Sequence, residues 1–138
     1  MSATVTNTIG SGVSSFSCTA VSVATSGNTE VATVDLRAFP QRTWLWLSVN
    51  TDSTAVLDAF LINAKVLYSE TSYAGYLSGT DFDTATGSMA FCSTTGPHEL
   101  GASATALCRV YVGGLEAIQI QASTSTLGSV TIYGTLSN

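Results

Sequence analysis

The sequence predicts an all-β fold, an antiparallel β-sandwich or jelly roll of roughly seven or eight strands. Three observations carry the prediction. From Cys108 to Asn138 the chain reads as short alternating runs, cut by Gly113-Gly114 and by the Ser/Thr/Gly stretch from Ser123 to Ser129. In those runs Ile118 and Ile120 share one side of a strand, and Val130 and Ile132 share one side of the next, the period-2 pattern of half-buried strands. The composition agrees: with 19 Ser, 21 Thr and only 9% charged residues, the chain is made polar by hydroxyls, and Thr favours strands as Ser favours turns.

Residues 1–15 read as an extended N-terminal arm, rich in Ser, Thr and Gly, ahead of a single β-sandwich domain over residues 16–138. Phe16 to Thr25 is the first strand, with Phe16 and Cys18 on one face and Val21 and Val23 on it after a slip of one residue; Ser26-Gly27-Asn28 is a turn. Val31 to Arg37 follows, with Val34 and Leu36 sharing a face, and Phe39-Pro40 ends it because proline cannot donate to a ladder. Trp44 to Val49 is the strongest strand, Leu45, Leu47 and Val49 on one side and Trp44, Trp46 and Ser48 on the other. Large aromatics are mostly buried, so Trp44 and Trp46 are expected in the core.

Over residues 55–68 the apolar positions Val56, Leu57, Phe60, Leu61, Ala64, Leu67 and Tyr68 follow helical spacing, with Asp52 or Ser53 as a cap, which predicts one short helix there. Thr71 to Gly87 reads as a loop, Ser88 to Ser93 as a short strand with Met89 and Phe91, and Thr94 to Ser103 as a second loop. The C-terminal strands then close the sheet.

Length and composition bound the function. A chain of 138 residues makes one domain with a real core. The net charge is −5, and Arg37, Arg42, Lys65 and Arg109 are scattered, which excludes a phosphate-binding surface for nucleic acid. Residues 1–15 lack the basic start and apolar run of an export signal. Ala55 to Tyr68 is broken by Asp58, Asn63 and Lys65, so no membrane span is expected. Cys18, Cys92 and Cys108 have no metal-type spacing and read as reduced, buried thiols, with a Cys92–Cys108 bridge as the sharper alternative. Low charge with high apolar content points to a surface that is covered in the working state.

Candidate chemistry is sparse. His98 is the single histidine, with only Glu99 beside it, and reads as an exposed loop residue. Asp81 and Asp83 alternate ahead of Gly87 in the manner of a weak Ca²⁺ loop, but position twelve after Asp81 is Cys92 rather than a closing acid, so a solvated turn is the expectation and no metal or other cofactor is assigned. No Gly-x-Ser-x-Gly elbow and no phosphate-cradling glycine motif is present, and no catalytic residue is assigned, so an enzyme is not expected. Tyr73, Tyr76 and Phe82, aromatics in a polar stretch, are candidates for a partner interface.

The C-terminal segments Gly114 to Gln121 and Ser125 to Leu136 resemble a hairpin that recurs in small β-rich tailed-bacteriophage virion proteins of the capsid decoration (cement) type. Ile118 and Ile120 stand at the first strand's apolar positions, and Gly128-Ser129-Val130-Thr131-Ile132 opens the second. Gln119 and Gln121 stand where arginine is common, and Leu127 is an extra residue in the turn. The resemblance implies a structural virion protein, made in the host cytoplasm, that sits on the outer surface of a capsid. It implies the major capsid protein and further copies of itself, as a homotrimer, as partners. On that reading Val5, Ile9 and Val13 of the arm, with Tyr73, Tyr76 and Phe82, form the capsid interface. The alternative is a carbohydrate-binding or adhesion module, such as a phage fibre or surface lectin-like domain, which needs the aromatics open to solvent.

Overall fold

The computed structural model describes residues 3–4, 8–9, 14–25, 27–37, 43–78 and 100–137, and these form an all-β sandwich of two five-stranded sheets with no helix among them. In chain order the strands are β1 (Ala3–Thr4), β2 (Thr8–Ile9), β3 (Ser14–Val23), β4 (Thr29–Asp35), β5 (Trp44–Thr51), β6 (Val56–Lys65), β7 (Ala74–Ser78), β8 (Thr105–Tyr111), β9 (Ala117–Thr126) and β10 (Gly128–Ser137). One sheet has the order β1-β4-β9-β6-β7, the other β2-β3-β10-β5-β8. They are called here the β9 sheet and the β10 sheet after their central strands. Every pairing is antiparallel except that of β1 with β4.

The two inner faces meet in one core. Leu45, Leu47 and Val49 of β5 and Val130, Ile132 and Leu136 of β10 face Phe60 and Ile62 of β6 and Ile118 and Ile120 of β9, all of them buried. Removing each of these side chains from water is worth about 1.5–3 kcal/mol, and the period-2 alternation of the sequence places them there.

The helix expected over residues 55–68 is not formed: Val56–Lys65 is β6, paired on both sides with β9 and β7. A bulge explains the misleading pattern. The register with β9 slips between Leu57 and Ala59, so the inward face passes from Leu57 to Phe60 and only then runs Ile62, Ala64. That three-residue step imitates a helical turn. Ala74–Ser78 is likewise a strand rather than loop. In β3 the slip between Cys18 and Val21 is a bulge in which Thr19 and Ala20 oppose Thr131; Ala20 takes the left-handed φ of 52° and donates its N–H to Thr131 Oγ1 at 3.0 Å.

The C-terminal strands do not form a hairpin. β9 and β10 are central strands of opposite sheets, and only Leu127 separates them. The chain crosses the sandwich there, and Gly128 leaves room for the close approach of Ala55: a Cβ on Gly128 would fall 2.5 Å from the Ala55 nitrogen. The β5-to-β6 crossing runs alongside, and Asp52 ties the two together. Its Oδ1 accepts from Thr54 N and Ala55 N, and its Oδ2 from Ser129 N and Ser129 Oγ. Leu100 bridges to Leu57 by paired backbone bonds and leads into β8.

Candidate interaction face

The two outer faces differ in chemistry. On the β9 sheet Asn63 donates to Gln119 and Gln121 at 3.0 and 2.9 Å, and Gln119 donates to Glu30 at 2.7 Å, giving a bonded polar ladder. The β10 sheet instead carries aromatics. Strand register sets them in a grid: Tyr133, Ser48 and Leu107 lie in one row across β10, β5 and β8; Thr135, Trp46 and Arg109 in the next; Ser137, Trp44 and Tyr111 in the third. Trp46, Leu107, Tyr111 and Tyr133 are 45%, 58%, 48% and 53% exposed. The expectation that Trp44 and Trp46 fill the core is therefore overturned. Leu45, Leu47 and Val49 take the inward positions of β5, and alternation sends the tryptophans out.

Trp44 packs edge-on against Tyr111, ring centroids 5.3 Å apart at 77°. The Arg109 guanidinium carbon stands 4.3 Å from the Trp44 ring centre and 5.7 Å from that of Trp46, a cation–π arrangement that holds the charge flat on the surface. Because Ser48 is small and its row neighbours Tyr133 and Leu107 are large, an open depression of about 200 Å³ forms over it, walled by Trp46 and Thr135.

The structure separates the two predicted tyrosines that fall within the described residues. Tyr76 is the extra residue of a β7 bulge, since Ile62 pairs with Leu77 and Asn63 with Gly75. Its hydroxyl donates to the Tyr111 carbonyl at 2.8 Å, which fastens the aromatic face to the β9 sheet. Partial burial, reinforced by Tyr111, raises its phenol pKa. Tyr73 is half-buried elsewhere, with Lys65 Nζ 4.6 Å over its ring. The same lysine lies 5.8 Å from the Tyr68 ring, which Arg37 covers at 3.5 Å. Burial raises the Tyr73 pKa, and the carboxylates of Glu30 and Asp35 add to the shift. Asp35 is held below its ordinary range by its bond from Arg37.

Val5, Val13, Phe82, Asp81 and Asp83 lie outside the described residues, as do Cys92, His98 and the strand expected over residues 88–93. Of Ile9 only the backbone is described, paired in β2 with Ser14 of β3. Cys18 and Cys108 are free, buried thiols; burial raises both, Cys108 to about 12. Among the described residues no group of three or more His, Cys, Asp or Glu is placed to hold a metal ion, and no helix is long and apolar enough to cross a membrane.

Sequence reasoning missed Leu107, Tyr111 and Tyr133. The signal was present in phase: Cys108, Val110 and Val112 alternate with Leu107, Arg109 and Tyr111, so burying the first set exposes the second.

No protein-family model matches the sequence, and neither does any curated protein. Among solved structures the chain is similar to the crystal structure of the SPBc2 prophage-derived protein YomS, with a TM-score of 0.52 and 10% sequence identity over 90% of this chain and 91% of that one. At that identity the likeness is one of fold alone.

Proposed function

We propose that this chain is a structural protein of a tailed-phage particle, one that decorates and stabilises the capsid by bridging shell subunits as an oligomer. The observation that carries the reading is the outer face of the β10 sheet, where Trp46, Leu107, Tyr111 and Tyr133 stand exposed on a protein with little charge. Exposed aromatic patches of this kind mark surfaces that meet another macromolecule. The likeness of fold to a prophage-derived protein directs the reading toward a phage. In this role the partners are the major capsid protein and further copies of the chain, a homotrimer in the decoration type, at the outer surface of the shell. Several weak contacts made together hold such a bridge tightly, and Val5, Ile9 and Val13 of the N-terminal arm supply part of them.

Quantitative mass spectrometry of purified particles, scaled to the major capsid protein, tests the reading. Copies in the hundreds support it. A handful places the chain at a tail or fibre, and absence from the particle overturns the virion role. Deleting residues 2–15 tests the arm, whose part is lost if shell occupancy is unchanged.

A second reading, a carbohydrate-binding or adhesion module, is favoured by one observation: Trp46 and Tyr133 flank an open depression bordered by the hydroxyl residues Ser48 and Thr135. Isothermal titration with soluble oligosaccharides tests it, and the absence of heat across the series removes it.

A further inference from the structure

We infer that the outer face of the β10 sheet is an interface with a second copy of this chain. The inference rests on the proposed reading for its setting and gives the self-association in that reading a surface.

The first argument is charge. Among the described residues, Glu30 and Asp35 lie on β4, Asp58 on β6, Glu70 after β6 and Glu116 before β9, so they belong to the β9 sheet and its flanks. Asp52 is held at the corner by its own chain. β2, β3, β5, β8 and β10 carry no carboxylate at all, and Arg109 is their one charge. In a chain of net charge −5 this is the sheet whose described strands would bring no carboxylate against a second copy. Like charges set opposite one another across an interface oppose association.

The second argument is residue type. Tryptophan, tyrosine and arginine supply most of the binding energy at protein interfaces, typically in a centre that a polar rim shields from water. Here Trp44, Trp46, Arg109, Tyr111 and Tyr133 occupy three adjacent strands, and Ser15 and Ser17 of β3 lie beside them. The cluster is already assembled in the single chain: Trp44 on Tyr111, Arg109 on Trp44, Tyr76 on the Tyr111 carbonyl. Side chains already ordered before binding have less freedom left to lose on binding.

The third argument is size. Strands spaced about 4.8 Å apart and rising about 3.3 Å per residue make the four long strands a face of about 20 by 30 Å, or about 600 Å², which reaches the lower end of the ~600–1,000 Å² per partner of a stable protein interface. The depression over Ser48, at about 200 Å³, falls below the ~300–1,000 Å³ of small-molecule sites and suits one side chain from a facing copy. A sugar would also need bare aromatic faces, and Arg109 already lies against the Trp44 ring.

Sedimentation velocity on the purified full chain from low to tens of micromolar, beside a Leu107→Asp variant and a Trp46→Ser/Tyr133→Ser variant, tests the inference. The wild type is expected at an integer multiple of 14.2 kDa and both variants at the single-chain mass, with unchanged far-ultraviolet circular dichroism. Glu30→Gln, on the other sheet, should leave the multimer intact. A wild-type monomer throughout this range overturns the inference, as does a multimer that survives both variants. A monomer whose tryptophan fluorescence shifts with cello-, galacto- or manno-oligosaccharides overturns it in favour of a glycan. Because the measurement uses the isolated chain, its failure is separate from that of the virion role, which particle copy number decides.

Discussion

Asp52 and Ser129 join the two neighbouring chain crossings of the sandwich: Asp52 Oδ2 accepts from both the backbone N–H and the hydroxyl of Ser129, each at 2.9 Å. Through Oδ1 the same carboxylate accepts from Thr54 N and Ala55 N at 2.9 and 2.7 Å. These donors, the backbone N–H groups foremost, hold its pKa well below the ordinary carboxylate value. One ionised group thereby orders the β5–β6 corner and the start of β10 together.

A folded-state pKa below the unfolded one stabilises the fold above the unfolded value, and the gain is lost as pH falls through the folded value. Melting temperature should therefore drop as pH falls below the ordinary 3.8 of aspartate. Asp52→Asn should lower it at neutral pH and flatten that acid slope. Asp35 is also held below its ordinary value, by Arg37, and adds to the acid limb, so Asp35→Asn serves as the comparison. A melting profile that Asp52→Asn leaves unchanged removes the corner from the account.

Gly134 and Phe16 face each other across β10 and β3, and a Cβ on Gly134 would overlap the Phe16 ring. Gly134→Ala should cost about 1–3 kcal/mol, the usual penalty for overpacking a filled core. Phe16→Leu has its own cost, but combined with Gly134→Ala the total should be less than the sum of the two. Urea denaturation of the four chains measures the coupling, and strict additivity contradicts the contact.

At the β3 bulge, Thr131 Oγ1 accepts from Ala20 N at 3.0 Å while Ala20 holds φ at 52°. Thr131→Val should cost about 1 kcal/mol for the lost hydrogen bond. Ala20→Gly should be neutral or slightly stabilising, since the roughly 1–2 kcal/mol left-handed penalty exceeds the roughly 0.5–1 kcal/mol entropy cost of glycine. Equilibrium unfolding checks both, and a loss above about 1 kcal/mol for Ala20→Gly contradicts the assignment.

Much of this fold is legible in sequence because period-2 alternation survives wherever one face is buried. The slip between Cys18 and Val21 was visible for the same reason, since the buried set changes phase at the bulge. β6 was hidden by the same device in a worse place: the bulge at Asp58 breaks the alternation near the strand's start, among residues that also suit a helix. On β5 both faces are apolar, so alternation separates Leu45, Leu47 and Val49 from Trp44 and Trp46 without saying which set meets the opposite sheet. Ser123 to Thr126 reads as a turn, yet it completes β9, where Thr124 is buried with its hydroxyl turned to the Val23 carbonyl. Alternation reports faces and not partners, so the separate sheets of β9 and β10 were beyond it.

Cys108 lies in β8 opposite Leu47 and is almost wholly buried, which pushes its thiol up to about 12 from an ordinary 9.0. The folded state binds this proton more tightly than the unfolded chain does. Its contribution is full below pH 9.0 and is lost as pH rises toward about 12. Within that window its share of the alkaline slope approaches about 1.4 kcal/mol per pH unit. Cys108→Ala should lower stability at neutral pH by removing a packed sulfur while flattening the alkaline limb. The native thiol should also resist iodoacetamide, because the thiolate is the reacting species and the strand must open to expose it. Peptide-resolved mass spectrometry after timed alkylation reads Cys108 by itself. Labelling that tracks global unfolding across a urea series supports a sealed core; rapid labelling without denaturant, rising with pH from 8 to 9 as a free thiol does, contradicts it.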